Sequence, residues 1–121
     1  MFKLRVQQQY FDAIASGTKT IEGRLAKKKY TDLKRGDKIQ FVNSANTQSV
    51  IKKVVATHIY PSFEEAFKKL NYLKAIPHAK NVEEAINVYL QFYSYPTQVH
   101  TGVILIELVG SIKGCEIIRE I

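Results

Sequence analysis

Apolar and polar residues alternate over Lys3-Leu4-Arg5-Val6, the period of a half-buried strand. The period then lengthens: Tyr10, Phe11, Ile14 and Ala15 recur at helical spacing, and Ser16-Gly17 stops that helix because glycine adopts the left-handed cap without steric cost. Residues 20–25 and 38–42 read as strands, linked by a small basic loop at 26–29, one helical turn at 30–33 and the turn Lys34-Arg35-Gly36-Asp37. Asn43-Ser44-Ala45-Asn46-Thr47 is a polar, hairpin-like loop before a long β-branched strand, 50–60, that Pro61 stops.

Two N-terminal capping patterns follow. Ser62 with Glu65 opens a second helix whose buried stripe is Phe63, Ala66, Phe67 and Leu70, and Asn81-Val82-Glu83-Glu84 opens a third carrying Ile86, Tyr89, Leu90 and Tyr93. Pro96 is expected to close the helical region, with a strongly apolar strand at 99–109 and a last strand at 111–121 that includes Ile112, Ile117 and Ile121. The order β-α-β-β-β-α-α-β-β has too few alternating helices for a doubly wound parallel sheet. The pattern predicts an α+β fold, a small mixed β-barrel with flanking helices, as one domain over residues 1–121.

Composition supports a folded chain: 45% of residues are hydrophobic and 24% charged. A single cysteine, Cys115, excludes an internal disulfide and reads as inert; His58, His78 and His100 stand in unrelated contexts, so no metal site is expected. No apolar run is long enough to span a bilayer, and the start of the chain is too charged for a signal peptide, which predicts a cytoplasmic protein without a membrane partner. Eighteen Lys and Arg against eleven Asp and Glu leave a net charge of +7, a bias towards polyanions such as RNA.

The chemistry concentrates in Gly17-Thr18-Lys19-Thr20-Ile21-Glu22-Gly23-Arg24, where three charged side chains fall within six residues after the helix stop. On a strand Glu22 and Arg24 share one face, and the turn after Gly17 can swing Lys19 towards it. Arginine grips phosphate or carboxylate, glutamate accepts from a base amine or moves a proton, and a desolvated lysine attacks or neutralises an oxyanion. Spacing alone favours an ordinary Glu22–Arg24 ion pair beside a solvated Lys19. Tyr89, Phe92, Tyr93 and Tyr95 offer either stacking faces or core packing, with Tyr93 the best placed for a cleft. Lys27-Lys28-Lys29, Arg35 and Lys38 could guide a phosphate backbone.

The motif Gly17-x-Lys19-x-x-Glu22-x-Arg24, preceded by the helix at 10–16 and followed by Leu33-Lys34-Arg35-Gly36-Asp37-Lys38-Ile39, resembles the ASCH domain of the PUA-like superfamily. The likeness continues through Tyr60-Pro61-Ser62-Phe63, residues 82–89, Phe92-Tyr93-Ser94 and residues 102–106, and matches the small single-domain prokaryotic type. The resemblance implies a barrel with a cleft beside the first helix where Lys19, Glu22 and Arg24 meet, and RNA or a nucleoside or nucleotide as ligand; Tyr93, Arg35 and Lys38 join the expected ligand-binding set from the residue reading above. It also implies two enzymatic alternatives: an amidohydrolase acting on N4-acetylcytidine-like nucleosides, with Lys19 and Glu22 as catalytic groups, or a metal-independent ribonuclease using Lys19 and a nearby tyrosine. One branch of the family serves protein interaction. In the amidohydrolase branch the motif lysine corresponds to Lys19, but a threonine three residues later is Glu22 here. The catalytic glutamate of that branch has His78 nearest to it, with Glu83 and Glu84 a few residues downstream. None of these readings calls for a cofactor or a metal.

Overall fold

The computed structural model describes residues 1–109 and the backbone of residues 115–119. In chain order the elements are β1 (Phe2–Val6), α1 (Gln8–Ser16), β2 (Ile21–Leu25), α2 (Lys28–Thr31), β3 (Lys38–Asn43), β4 (Gln48–Tyr60), α3 (Phe63–Ala66), a 3₁₀ turn (Tyr72–Lys74), α4 (Val82–Phe92), α5 (Tyr95–Thr101), β5 (Val103–Leu108) and β6 (Cys115–Arg119). The strands form a mixed sheet in the order β1-β3-β4-β5-β2, and β6 pairs with the first half of β4. β1 runs parallel to β3, while the other pairs are antiparallel.

β4 determines the shape because it changes partners along its 13 residues. Residues 49–53 pair with β3, and from Val54 to Tyr60 the strand pairs with β5 after a bulge between Val54 and Ala56. A bulge adds twist and bends its strand, so the sheet curls into a half-barrel whose two edges are β1 and β2. Among the described residues no backbone pairing joins those edges.

The core is two layers with β5 between them. Ile104 and Ile106 pack inside the curl with Leu4, Val6, Phe11, Ile14, Phe41 and Val50. Val103 and Leu105 face the other way, into a cluster with Ile21, Phe63, Ala66, Ala85 and Tyr89 under the helices. Burial on both faces explains why this strand reads as an unbroken apolar run rather than an alternation.

Most expected elements are present. Gly17 takes the left-handed cap (φ 83°) after α1, and Ser62 and Asn81 accept the N–H groups of Glu65 and Glu84 as N-caps. Four local expectations are corrected. Pro96 does not close a helix; it sits in the first turn of α5, whose N-cap Ser94 accepts from Thr97 N–H. Residues 99–101 are therefore helical and the strand begins at Val103, because Gln98, 2% exposed, ties α5 down by accepting from Phe63 N–H (3.0 Å) and donating to Tyr93 O (3.0 Å). The second helix is a single turn, α3, and Lys28 and Lys29 belong to α2 rather than to a loop. Of the expected final strand, 115–119 is present, while Ile112, Ile121 and the side chains of Cys115 and Ile117 lie outside the described residues. Among the described residues no helix is long and apolar enough to cross a membrane.

Candidate functional site

The chain reverses sharply after α1: Lys19 N–H bonds to Ala13 O (2.9 Å) and Thr20 N–H to Lys74 O (2.9 Å). This reversal carries the Lys19 side chain inward, and only 2% of the residue is exposed. Its ammonium donates to Ile21 O (2.6 Å) and to Ala75 O, and lies 3.4 Å from Glu22 Oε1. The three protons of a lysine ammonium are thereby taken up by protein acceptors. Burial pulls the Lys19 pKa below the ordinary lysine value, with Glu22 opposing that shift.

Glu22 and Arg24 share a face of β2, as the strand period requires. Arg24 Nε donates to Glu22 Oε2 at 2.7 Å, and Arg24 Nη2 reaches across to Arg5 O at 3.3 Å. One guanidinium therefore spans the seam between the two sheet edges. Burial works against the Arg24 charge, but the neighbouring Glu22 carboxylate outweighs it and raises the arginine pKa further. The carboxylate, 6% exposed, lies between two cations, each holding a different oxygen.

Gly23, on the opposite face, lets α4 close over the strand. A Cβ there would stand 2.6 Å from Phe63 Cε1 and 2.8 Å from Tyr89 Oη. The Phe63 and Tyr89 rings stack at 3.8 Å between centroids and 9° between planes. Tyr89 lies against Gly23 and lines the same cavity as Glu22 and Arg24. Burial first, and Glu22 second, push the Tyr89 pKa well above the usual phenol value. Tyr10 shifts upward for the same two reasons. For Tyr93 burial again leads, and its pKa is raised although Arg24 pulls the other way.

These groups enclose a cavity of about 170 Å³ lined by Arg5 and Val6 of β1, Tyr10, Lys19, Glu22, Arg24, and Tyr89, Phe92 and Tyr93 around the end of α4. A 150 Å³ cavity admits a benzene ring, so this one has room for one planar ring and leaves the rest of any larger ligand outside. Phe92, 52% exposed, lies at the rim. The cavity's acceptors and donors are specific: Glu22 has lone pairs beyond those met by Lys19 and Arg24, and Arg24 has N–H groups beyond the two engaged.

The structure brings Lys19, Glu22, Arg24 and Tyr93 together. Arg35 and Lys38 are exposed and do not line the cavity. The parallel register explains the displacement of Lys38: Phe2 pairs with Ile39, so Lys38 lies beyond the far end of β1, roughly 10 Å or more along the strand from Arg5. Lys28 pairs with Asp32 (2.9 Å) and Lys29 lies over the Tyr30 ring, both outside the cavity. His78 meets Gln9 (3.0 Å) and the Tyr10 ring rather than the cavity, and Glu83 and Glu84 sit at the opposite end of α4 from Tyr93. His58 pairs with Glu107 at 2.6 Å, and Tyr95 is exposed on α5. Sequence reasoning missed Tyr10 and the backbone carbonyl of Arg5. A hydroxyl on the apolar stripe of the helix leading into the motif was the available signal for Tyr10; nothing in the sequence marks a carbonyl.

A family model for the ASCH domain matches residues 4–109. The chain is 34% identical to the hypothetical protein PH0355, known from a crystal structure, with a TM-score of 0.76 over 88% of this chain and 95% of that one. Protein PF0455 from Pyrococcus furiosus, solved by NMR, is 30% identical with a TM-score of 0.67 over 88% and 94% of the two chains. A mutant ASCH protein from Zymomonas mobilis shares the fold at 13% identity, with a TM-score of 0.58 over 88% of this chain and 66% of that one. No curated protein matches the sequence.

Two measurements test this geometry. Gly23→Ala should cost about 1–3 kcal/mol in denaturant unfolding, since two stacked rings must move to admit a methyl group; a loss under about 0.3 kcal/mol contradicts the packing of α4 on β2. Tyr89 ionises far later in the folded protein than in the unfolded chain, so its contribution is fully present below the unfolded pKa of about 10 and is lost as pH rises beyond it. Between about pH 9 and pH 11 the unfolding midpoint of Tyr89→Phe should therefore fall less than that of the parent. Equal falls contradict the buried phenol.

Proposed function

Because the chain belongs to the ASCH domain family, with its PUA-like half-barrel fold, we propose that the seam takes in one base of an RNA or of a modified nucleotide. The observation that carries this reading is the Glu22 carboxylate, held in one orientation by Lys19 and Arg24 at the edge of a ring-sized cavity. A fixed acceptor of this kind suits an exocyclic amine, as when glutamate accepts from the N4 amine of cytosine. The remaining Arg24 N–H groups suit a carbonyl or phosphate oxygen. Phe92 and Tyr93 give the base a wall to stack on, a contact worth about 1–3 kcal/mol per base and open to any base. The net charge of +7 adds a long-range attraction for phosphates.

In this reading Lys19 positions rather than reacts. A nucleophilic or proton-moving role asks for a free amine, and its protons are committed to Ile21, Ala75 and Glu22. Base recognition asks only that Glu22 stay in place. The amidohydrolase and ribonuclease alternatives therefore draw less support from this arrangement than binding does.

Fluorescence anisotropy with short single-stranded RNAs tests the proposal. Binding should weaken steeply with salt, and Arg24→Ala should weaken it by about tenfold or more, the loss of one charge-assisted hydrogen bond. Glu22→Gln, checked for folding by denaturant titration, should erode the preference for amine-bearing bases over uracil. Salt-insensitive binding, or an unchanged base preference in Glu22→Gln, contradicts the proposal.

A further inference from the structure

On the part of the sheet formed by β1, β3 and the first half of β4, Leu4, Val6, Ile39, Phe41, Val50 and Val54 point into the core. The alternating residues therefore lie on the other face, where Val42, Ser49 and Ile51 are buried among exposed cations. In register, Lys3 stands opposite Gln40, Arg5 opposite Val42, and Lys38 opposite Lys53. All four cations, Lys3, Arg5, Lys38 and Lys53, are exposed.

They form a continuous band that starts at the cavity. Arg5 lines the cavity mouth. Lys3 follows two residues along the same strand, about 7 Å away. Lys38 is a diagonal neighbour of Lys3, at about 7–8 Å, and Lys53 lies directly across from Lys38 at about 5 Å. These steps are comparable to the separation of successive phosphates in an extended single strand.

Two carboxylates near the band in the described residues are engaged locally. Asp37 accepts from Lys34 N–H at 2.8 Å within its turn, and Asp32 pairs with Lys28. Like charges directly opposite in a sheet repel, so the Lys38–Lys53 pair is a cost that a bound polyanion relieves. Among the described residues the face carries no exposed aromatic ring, so it can hold phosphates without stacking on bases.

We propose that this band holds the phosphate backbone of a single-stranded polynucleotide running away from the seam, with the cavity reading one nucleotide and β1, β3 and β4 gripping those that follow. The inference rests on the base-binding reading above and adds a path, a direction and a division of labour: the cavity sets preference, and the band sets affinity and salt dependence.

The test compares an RNA of about 12 nucleotides with a trinucleotide, using the parent, Arg24→Ala and the combined variant Lys3→Gln, Lys38→Gln, Lys53→Gln. Each lost phosphate contact should lower the log–log salt slope by about 0.7, so the combined variant should lose about 2 for the long RNA. Its trinucleotide affinity and its base preference should match the parent. Arg24→Ala should weaken both ligands. A combined variant that keeps the parental slope overturns the band and leaves the cavity reading standing. Arg24→Ala binding the trinucleotide at parental affinity overturns the cavity reading, and the band with it as a continuation of that site. A polyglutamate peptide that competes as well as the long RNA at equal charge overturns the assignment of the band to nucleic acid.

Discussion

A carboxylate held out of water between two cations is the constraint on which the rest of this structure depends. Removing such charges from water costs several kcal/mol per ion, and the mutual attraction repays that only when geometry is good and the remaining donors are satisfied. Both conditions hold at Glu22, where Lys19 and Arg24 take separate oxygens and Lys19 spends its other protons on the carbonyls of Ile21 and Ala75. The same bonds tie three parts of the chain together. Lys19 fastens the segment after the 3₁₀ turn to β2, and Arg24 fastens β2 to β1 across a seam with no backbone pairing among the described residues. Well-packed apolar residues would stabilise such a position as well or better, so stability alone does not account for the cluster, and the proposed base-binding role does.

The open seam follows from the sheet. Closing a barrel would pair β1 with β2; the bulge in β4 and the course of α1 leave these edges apart, bridged by a side chain instead. The gap is then roofed by α4, which comes close only because position 23 has no side chain. Its aromatic face, Tyr89 stacked on Phe63, supplies an apolar wall opposite the charged floor. A small cavity with one polar side and one aromatic side matches the chemistry of a nucleobase, whose edges hydrogen-bond and whose faces stack.

Local signals carried most of the fold. The alternation in β1, the glycine stop at Gly17 and the caps at Ser62 and Asn81 each act within a few residues, and each is present as read. The convergence of Glu22 and Arg24 followed from strand period alone. Where reading failed, tertiary contacts decided. Apolar positions from 99 onward resemble a strand, yet residues 99–101 are helical because Ser94 caps that turn and buried Gln98 anchors it to α3 and α4. That Lys38 lies along the sheet rather than in the cavity depends on the parallel register of β1 and β3, a long-range pairing that no local pattern encodes, and it leaves the reading of Lys38 as a phosphate guide open. Lys19 was legible as a residue of interest but not as a buried one, because its burial depends on Ala75, far along the chain.

The central claim is that a base enters the seam and meets Glu22 and Arg24. It is tested most directly by following the backbone amide of Gly23 and the Arg24 side-chain Nε–H by NMR in isotope-labelled protein while cytidine monophosphate is added. Both signals should move together and saturably, and move less with uridine monophosphate, which lacks the exocyclic amine. Signals at Gly23 and Arg24 that stay fixed while cytidine monophosphate binds elsewhere would contradict it.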